Sequence, residues 1–262
     1  MTTFGIQGAL ACLCGGGVGF SLGLVGGGGS ILAVPLLLYV VGVRDPHVAI
    51  GTSALAVGTN AFANLAGHWR AGTVKWPCAS VFAAAGIIGA AIGSSLGKLV
   101  NGQSLLFLFA CVMFGIAAAM LWPRSGTGDP HVRLTALIAV RLGGTGLVVG
   151  LLSGFFGIGG GFLIVPGLML GSGMPILNAI GSSLLSVGAF GLTAGINYAL
   201  SGLIEWRIAL PFVLGGVLGG MLGLRCALRL ARQRRMLTYV FATLIIGVAC
   251  YMLLRTGIPH RG

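Results

Sequence analysis

The chain has 262 residues, of which 7% are charged and 56% hydrophobic, with 49 glycines and a mean hydropathy of +1.05. Soluble domains carry about 25% charged residues, so this composition excludes a soluble globular protein. The net charge of +12 would suggest a nucleic-acid partner in a soluble chain; here nearly all the basic residues fall between apolar runs, where a bilayer tolerates them, and no nucleic-acid partner is expected.

The apolar runs lie at 5 to 43, 49 to 69, 76 to 97, 104 to 122, 134 to 174, 179 to 200, 208 to 228 and 236 to 254. The opening stretch has no basic segment before its apolar run, so no cleaved signal peptide is expected. Cys12, Cys14, Cys78, Cys111, Cys226 and Cys250 are scattered through apolar sequence and read as buried small hydrophobes rather than a disulfide framework or metal site. Trp69, Trp76, Trp122 and Trp206 stand at run ends, where an interfacial aromatic belt places them. The runs 5 to 43 and 134 to 174 are too long for one crossing, because about 40 residues at 1.5 Å each would reach about 60 Å across a core of about 30 Å. Each must hold two elements, either paired spans or a re-entrant hairpin.

Self-comparison shows where they divide. Gly23 to Pro35 reappears as Gly154 to Pro166 with seven of thirteen positions identical, and Ile50 to Leu55 reappears as Ile180 to Leu185. Gly58, Gly72, Trp76, Gly86, Gly89 and Gly93 are then matched by Gly188, Gly202, Trp206, Gly216, Gly219 and Gly223. The chain therefore reads as two tandem repeats of about 130 residues: a first membrane repeat over 1–122, a cytoplasmic linker over 123–133 and a second membrane repeat over 134–262. In each repeat a glycine run, Gly26 to Gly29 or Gly157 to Gly161, interrupts the helix, and Pro35 or Pro166 follows.

Loop charge chooses the relation between the copies. With an odd number of crossings per repeat, Arg70, Lys75, Arg124, Arg133, Arg225, Arg229, Arg232, Arg234 and Arg235 share one side, opposite Arg44, Lys98, Arg207, Arg255 and Arg261. An even number divides them equally. Only the odd case, in which the second copy is inverted, follows the positive-inside rule. It predicts an all-α polytopic membrane protein of eight to ten membrane helical elements, each repeat carrying a glycine-broken discontinuous helix pair, with both termini outside.

Matched interruptions in inverted halves point to a transport site near the midplane. The second half-helices start near Ser30 and near Gly161 or Phe162, and their free N–H groups and dipole ends form an anion cradle. Glycine lets a ligand approach the backbone, which nominates Gly27, Gly28, Gly29 and Ser30 with Gly159, Gly160, Gly161 and Phe162. Thr52, Ser53, Ser182 and Ser183 open the next helices and supply hydroxyl donors. Asn60, Asn64, Asn197, Arg141 and His68 are further polar candidates, for which interhelical hydrogen bonds, snorkelling and an interfacial histidine are the competing roles. The only acids, Asp45, Asp129 and Glu205, lie in loops or at span ends, which disfavours a carboxylate cation site, a proton relay or an intramembrane protease. No cofactor, metal or enzyme activity is expected. Exporting an anion from an inside-negative cell gains about 2.3 kcal/mol per charge per 100 mV without a coupling ion.

The paired elements, Gly26 to Pro35 with Gly51 to Ser53 and Gly157 to Pro166 with Gly181 to Ser183, resemble those of the TauE/SafE family across essentially the whole chain. The resemblance implies a multi-pass transporter of the bacterial inner membrane, exporting a small sulfur-containing anion such as sulfite, sulfoacetate or a related organosulfonate. Its partners would be that anion and the bilayer, with a homo-oligomer also open. An anion channel and a membrane assembly factor are the alternatives.

Overall fold

The computed structural model describes residues 3–121, 134–157 and 161–230, together with Gly247, and these are helical throughout except for short connections. Helix α1 (Thr3–Val25) runs into a 3₁₀ segment (Gly26–Leu32), a short α2 (Ala33–Leu36) and one π turn (Leu37–Val41). There follow α3 (Pro46–Arg70), α4 (Trp76–Gly97), α5 (Gly102–Leu121), α6 (Ala136–Phe156), α7 (Gly161–Ser172), α8 (Ile176–Leu200) and α9 (Trp206–Leu230). Among the described residues six helices are long and apolar enough to cross a membrane: Gly5–Val25, Pro46–Arg70, Trp76–Gly97, Ala136–Phe156, Ile176–Leu200 and Trp206–Arg229. Trp122, residues 123–133, Cys250 and the 236 to 254 run apart from Gly247 lie outside the described residues, as do Gly159 and Gly160.

Helix ends follow local chemistry. Asp45 caps α3 by accepting from the His47 amide at 2.7 Å, with Pro46 in the first turn, and Thr135 caps α6 by accepting from the Ile138 amide. Among the described residues six glycines have positive φ, and they fall at matched places: Gly26 with Gly157, Gly42 with Gly173, and Gly72 with Gly202. The first pair stops α1 and α6 in the left-handed conformation that glycine adopts at low cost.

Glycine seams assemble the long helices. Gly15, Gly19 and Gly23 of α1 lie on the backbone of Phe212, Gly216 and Gly220 of α9, while Gly215, Gly219 and Gly223 lie on Cys12, Gly16 and Phe20. The residue numbers rise together, so α1 and α9 are parallel. The α4/α6 seam repeats the pattern, with Gly89, Gly93 and Gly97 on Leu147, Leu151 and Phe155, and Gly150 and Gly154 on Gly86 and Ala90. A Cβ at most of these glycines would overlap opposing backbone, the close approach that small residues permit between membrane helices.

Helix α3 also runs parallel to α9, with Thr52 at Glu205, Asn60 at Gly216 and Asn64 at Gly220. Helix α8 runs parallel to α4, with Ser182 at Lys75, Phe190 at Gly86 and Asn197 at Lys98. In the centre α3 and α8 are antiparallel, Gly51 facing Tyr198, Gly58 facing Gly191, and Thr73 facing Gly181. Helices α1 and α3 therefore point the same way, and the chain between Val25 and Pro46 has to return. The first long apolar run is not one crossing.

Candidate functional site

Both glycine interruptions lie against the start of a central helix, and in each case it is the central helix of the other sequence repeat. Gly26 packs on Ile180 and Ser183, and the Gly27 amide donates to Ser183 Oγ at 3.1 Å. In the opposite direction, Gly157 packs on Ile50, and Ser53 Oγ lies 3.3 Å from the Gly157 carbonyl, to which it donates. In the sequence each hydroxyl pair opens the helix that follows the break of its own copy. The exchange follows from the antiparallel α3/α8 pair, which brings the start of each helix to the far end of its partner.

The neighbouring hydroxyls are exchanged in the same way. Thr52 Oγ1 accepts from the Glu205 amide at 3.0 Å, and Ser182 Oγ accepts from the Lys75 amide at 2.8 Å. Each thus satisfies an N–H at the entrance to α9 or α4, an orphan group of a helix start. The single Ser53 hydrogen is shared with the nearer Ile50 carbonyl at 2.9 Å, and Ser183 donates to the Ile180 carbonyl at 2.7 Å. All four hydroxyls are fully buried.

The first interruption is not bare unwound chain. It continues as a 3₁₀ segment in which Ser30 Oγ donates to the Gly27 carbonyl at 2.8 Å, with Ser30 buried. Gly28 and Gly29 lie within that segment, and α7 begins at Gly161 and Phe162. The 3₁₀ segment and α7 are in contact with each other and with α8, so the two interrupted stretches meet beside that central helix. The site is a set of backbone amides and buried hydroxyls with no ionised side chain among them. Among the described residues no group of His, Cys, Asp and Glu could hold a metal ion.

The other polar candidates divide. Asn60 is fully buried at Gly216, and neither its Nδ2 nor its Oδ1 has a partner. Asn64 Nδ2 donates to the Asn60 carbonyl at 2.9 Å, and Asn64 lines a cavity of about 520 Å³ between α3 and α9 with Arg70 and Arg225. Asn197 bonds to the end of α4: its Oδ1 accepts from Lys98 Nζ at 2.8 Å, and its Nδ2 donates to Ser94 and Ser95 Oγ at 2.7 and 3.0 Å. Arg141 is exposed in the second turn of α6. His68 is fully buried, with both ring nitrogens in hydrogen-bond contact.

Sequence reasoning missed Lys98, Thr73 and Asn178. Lys98 also donates to Ser201 Oγ at 2.9 Å, and Asn178 Nδ2 donates to the Thr73 carbonyl at 3.1 Å. Lys98 and Thr73 were legible only as charge or polarity beside a turn; the partners of Lys98 lie 99 and 103 residues away, and Asn178 lies 105 residues from Thr73.

Comparison with known proteins adds to this geometry. A family model described as sulfite exporter TauE/SafE matches residues 11–252. A "Probable membrane transporter protein" of Xylella fastidiosa (strain Temecula1) is 49% identical, the match covering 92% of this chain and 93% of the relative. YunE of Bacillus subtilis, also named a probable membrane transporter protein, is 27% identical over 88% of this chain and 91% of its own. MJ0441 of Methanocaldococcus jannaschii, named likewise, is 30% identical over 73% and 71%. No solved structure matches.

Proposed function

The chain belongs to the sulfite exporter TauE/SafE family of membrane transporters, and from this premise we propose that it exports a small sulfur-containing anion by alternating access. The anion is sulfite, sulfoacetate or a related organosulfonate, held at the glycine interruptions between two inverted repeats. The repeats are 1–122 and 134–262, joined by a cytoplasmic linker at 123–133, with eight to ten membrane elements and both termini periplasmic in a bacterial inner membrane. The bilayer and the anion are its partners, and a homo-oligomer is compatible with the arrangement.

The observation that carries this reading is the reciprocal tie between the repeats, Gly27 to Ser183 and Ser53 to Gly157. Each hydroxyl bridges a glycine-lined backbone and the first turns of a central helix. Rotation about its single side-chain torsion exchanges a carbonyl partner for an oxyanion. The positive-inside charge count and the antiparallel α3/α8 pair support the inversion. Relative motion of the repeats would remake these ties with the anion alternately open to either side.

Anion flux into proteoliposomes holding the purified protein tests the proposal. Sulfite, sulfate, sulfoacetate, taurine and a cation are compared, with and without a membrane potential. Saturable, potential-sensitive flux of a sulfur oxyanion is expected. Unsaturable flux at channel rates, or no anion flux from folded protein, contradicts it.

A further inference from the structure

We propose that His68 is a proton-binding site whose occupancy is coupled to anion binding at the first glycine interruption. The inference deepens the transport reading above and rests on it for the anion. Among the described residues His68 is the one buried member of the set His, Asp, Glu, Lys and Arg.

Its hydrogen bonds accommodate both charge states. Nε2 lies 3.1 Å from the Gly23 carbonyl, which can only accept, so this nitrogen carries a proton. Nδ1 lies 3.0 Å from Thr73 Oγ1, and that same hydroxyl lies 3.0 Å from the His68 carbonyl. With the ring neutral, Thr73 donates to Nδ1. With the ring charged, Nδ1–H donates to Thr73 Oγ1, whose hydrogen turns to the His68 carbonyl. Only a hydroxyl hydrogen moves, and no buried polar group loses its partner in either state.

The surroundings set the sign of the coupling. Gly23 is in the last turn of α1, where the helix dipole favours a cation. Against this, Arg70 of α3, Lys75 of the following turn and Arg225 of α9 are cations at the same end of the molecule. Helix α1 brings no ionisable residue except Cys12 and Cys14, the α8 segment Ile176–Ser183 brings none, α4 brings Cys78 in its first turn, and α9 adds Cys226. No described carboxylate offsets the imidazolium, so an anion arriving nearby does, and by reciprocity the charged ring strengthens anion binding. The physical link is short: Gly181 rests on Thr73, Asn178 holds the Thr73 carbonyl, and two residues on from Gly181 Ser183 receives the Gly27 amide. The second repeat places Tyr198 at the position matching His68, buried and with its hydroxyl unpartnered. Packing at that place is therefore met by a ring that does not titrate between pH 5.5 and 8.

The test has two arms. In the first, sulfoacetate and sulfate, whose charge is constant between pH 5.5 and 8, are supplied to proteoliposomes, and the apparent anion affinity is followed against pH. The wild type is expected to lose about five-fold or more in affinity as the imidazole deprotonates, and His68→Gln and His68→Asn to be insensitive to pH. An unchanged pH profile in the variants overturns the coupling. In the second arm, protein labelled with ¹⁵N in its histidine rings is titrated in detergent, with His68 identified by its loss in His68→Gln. A transition to the doubly protonated ring that moves to higher pH on adding anion supports the site. A ring that stays a single neutral tautomer throughout overturns it. Absence of all anion flux counts against the transport reading, and the ring titration still decides whether His68 binds the proton.

Discussion

Ser182 and Thr52 divide the hydroxyl candidates by what they touch. Each receives a backbone amide from the turn before a long helix, so Ser182→Ala and Thr52→Val leave a Lys75 or Glu205 N–H without its acceptor. A loss of about 1–3 kcal/mol is expected for each, read as a lower unfolding midpoint in detergent. Asn60 presents the opposite case, since its amide is already buried without partners. Asn60→Ala, which removes the amide without adding bulk, is expected to hold or raise the unfolding temperature, because an unpaired buried amide costs about 1–3 kcal/mol; a clear loss of stability would show that the amide is bonded in the membrane. The nominated hydroxyls could be read from the sequence because they recur at the same offset in both copies. Their actual neighbours could not, since Ser183 meets Gly27 only through the antiparallel packing of α3 and α8. His68 precedes Trp69 and Arg70 at a helix end, which suggested an interface, and its burial depends on α1 and the 71–75 turn folding over it.

At the scale of helices, the glycine seams make an unusually sharp internal control. Gly17 and Gly19 lie two residues apart in α1; a Cβ at Gly17 meets nothing within 4 Å, whereas one at Gly19 would overlap Gly216 of α9. Gly17→Ala is expected to be neutral or stabilising by about 0.5–1 kcal/mol. Gly19→Ala forces the seam apart and is expected to cost about 1–3 kcal/mol. Equal effects on thermal unfolding would mean that α1 does not pack on α9 as described. The small-residue spacing of these helices was visible in the sequence, as were the two interruptions. The pairing of α1 with α9 and of α4 with α6 was not, because a glycine stripe states that something packs closely without saying what.

For the whole molecule, inversion has a consequence that labelling can read. The turns before α4 and α9 occupy matched places in the two repeats, at Lys75 and Glu205, and the helices they precede lie in antiparallel sets. In a cysteine-free background, Lys75→Cys is expected to react from the cytoplasmic side and Glu205→Cys from the periplasmic side. Reaction of both from one side would contradict inverted repeats. The central claim is that the anion sits where the repeats are tied together, and equilibrium binding of ³⁵S-labelled sulfite to the purified protein tests it most directly. The wild type is compared with Ser53→Ala, Ser183→Ala and the double variant, each first shown to be folded by its unfolding transition. Saturable binding that weakens about tenfold in each single variant, as loss of a charge-assisted hydrogen bond would give, is the predicted result. Undiminished binding in the double variant would contradict it.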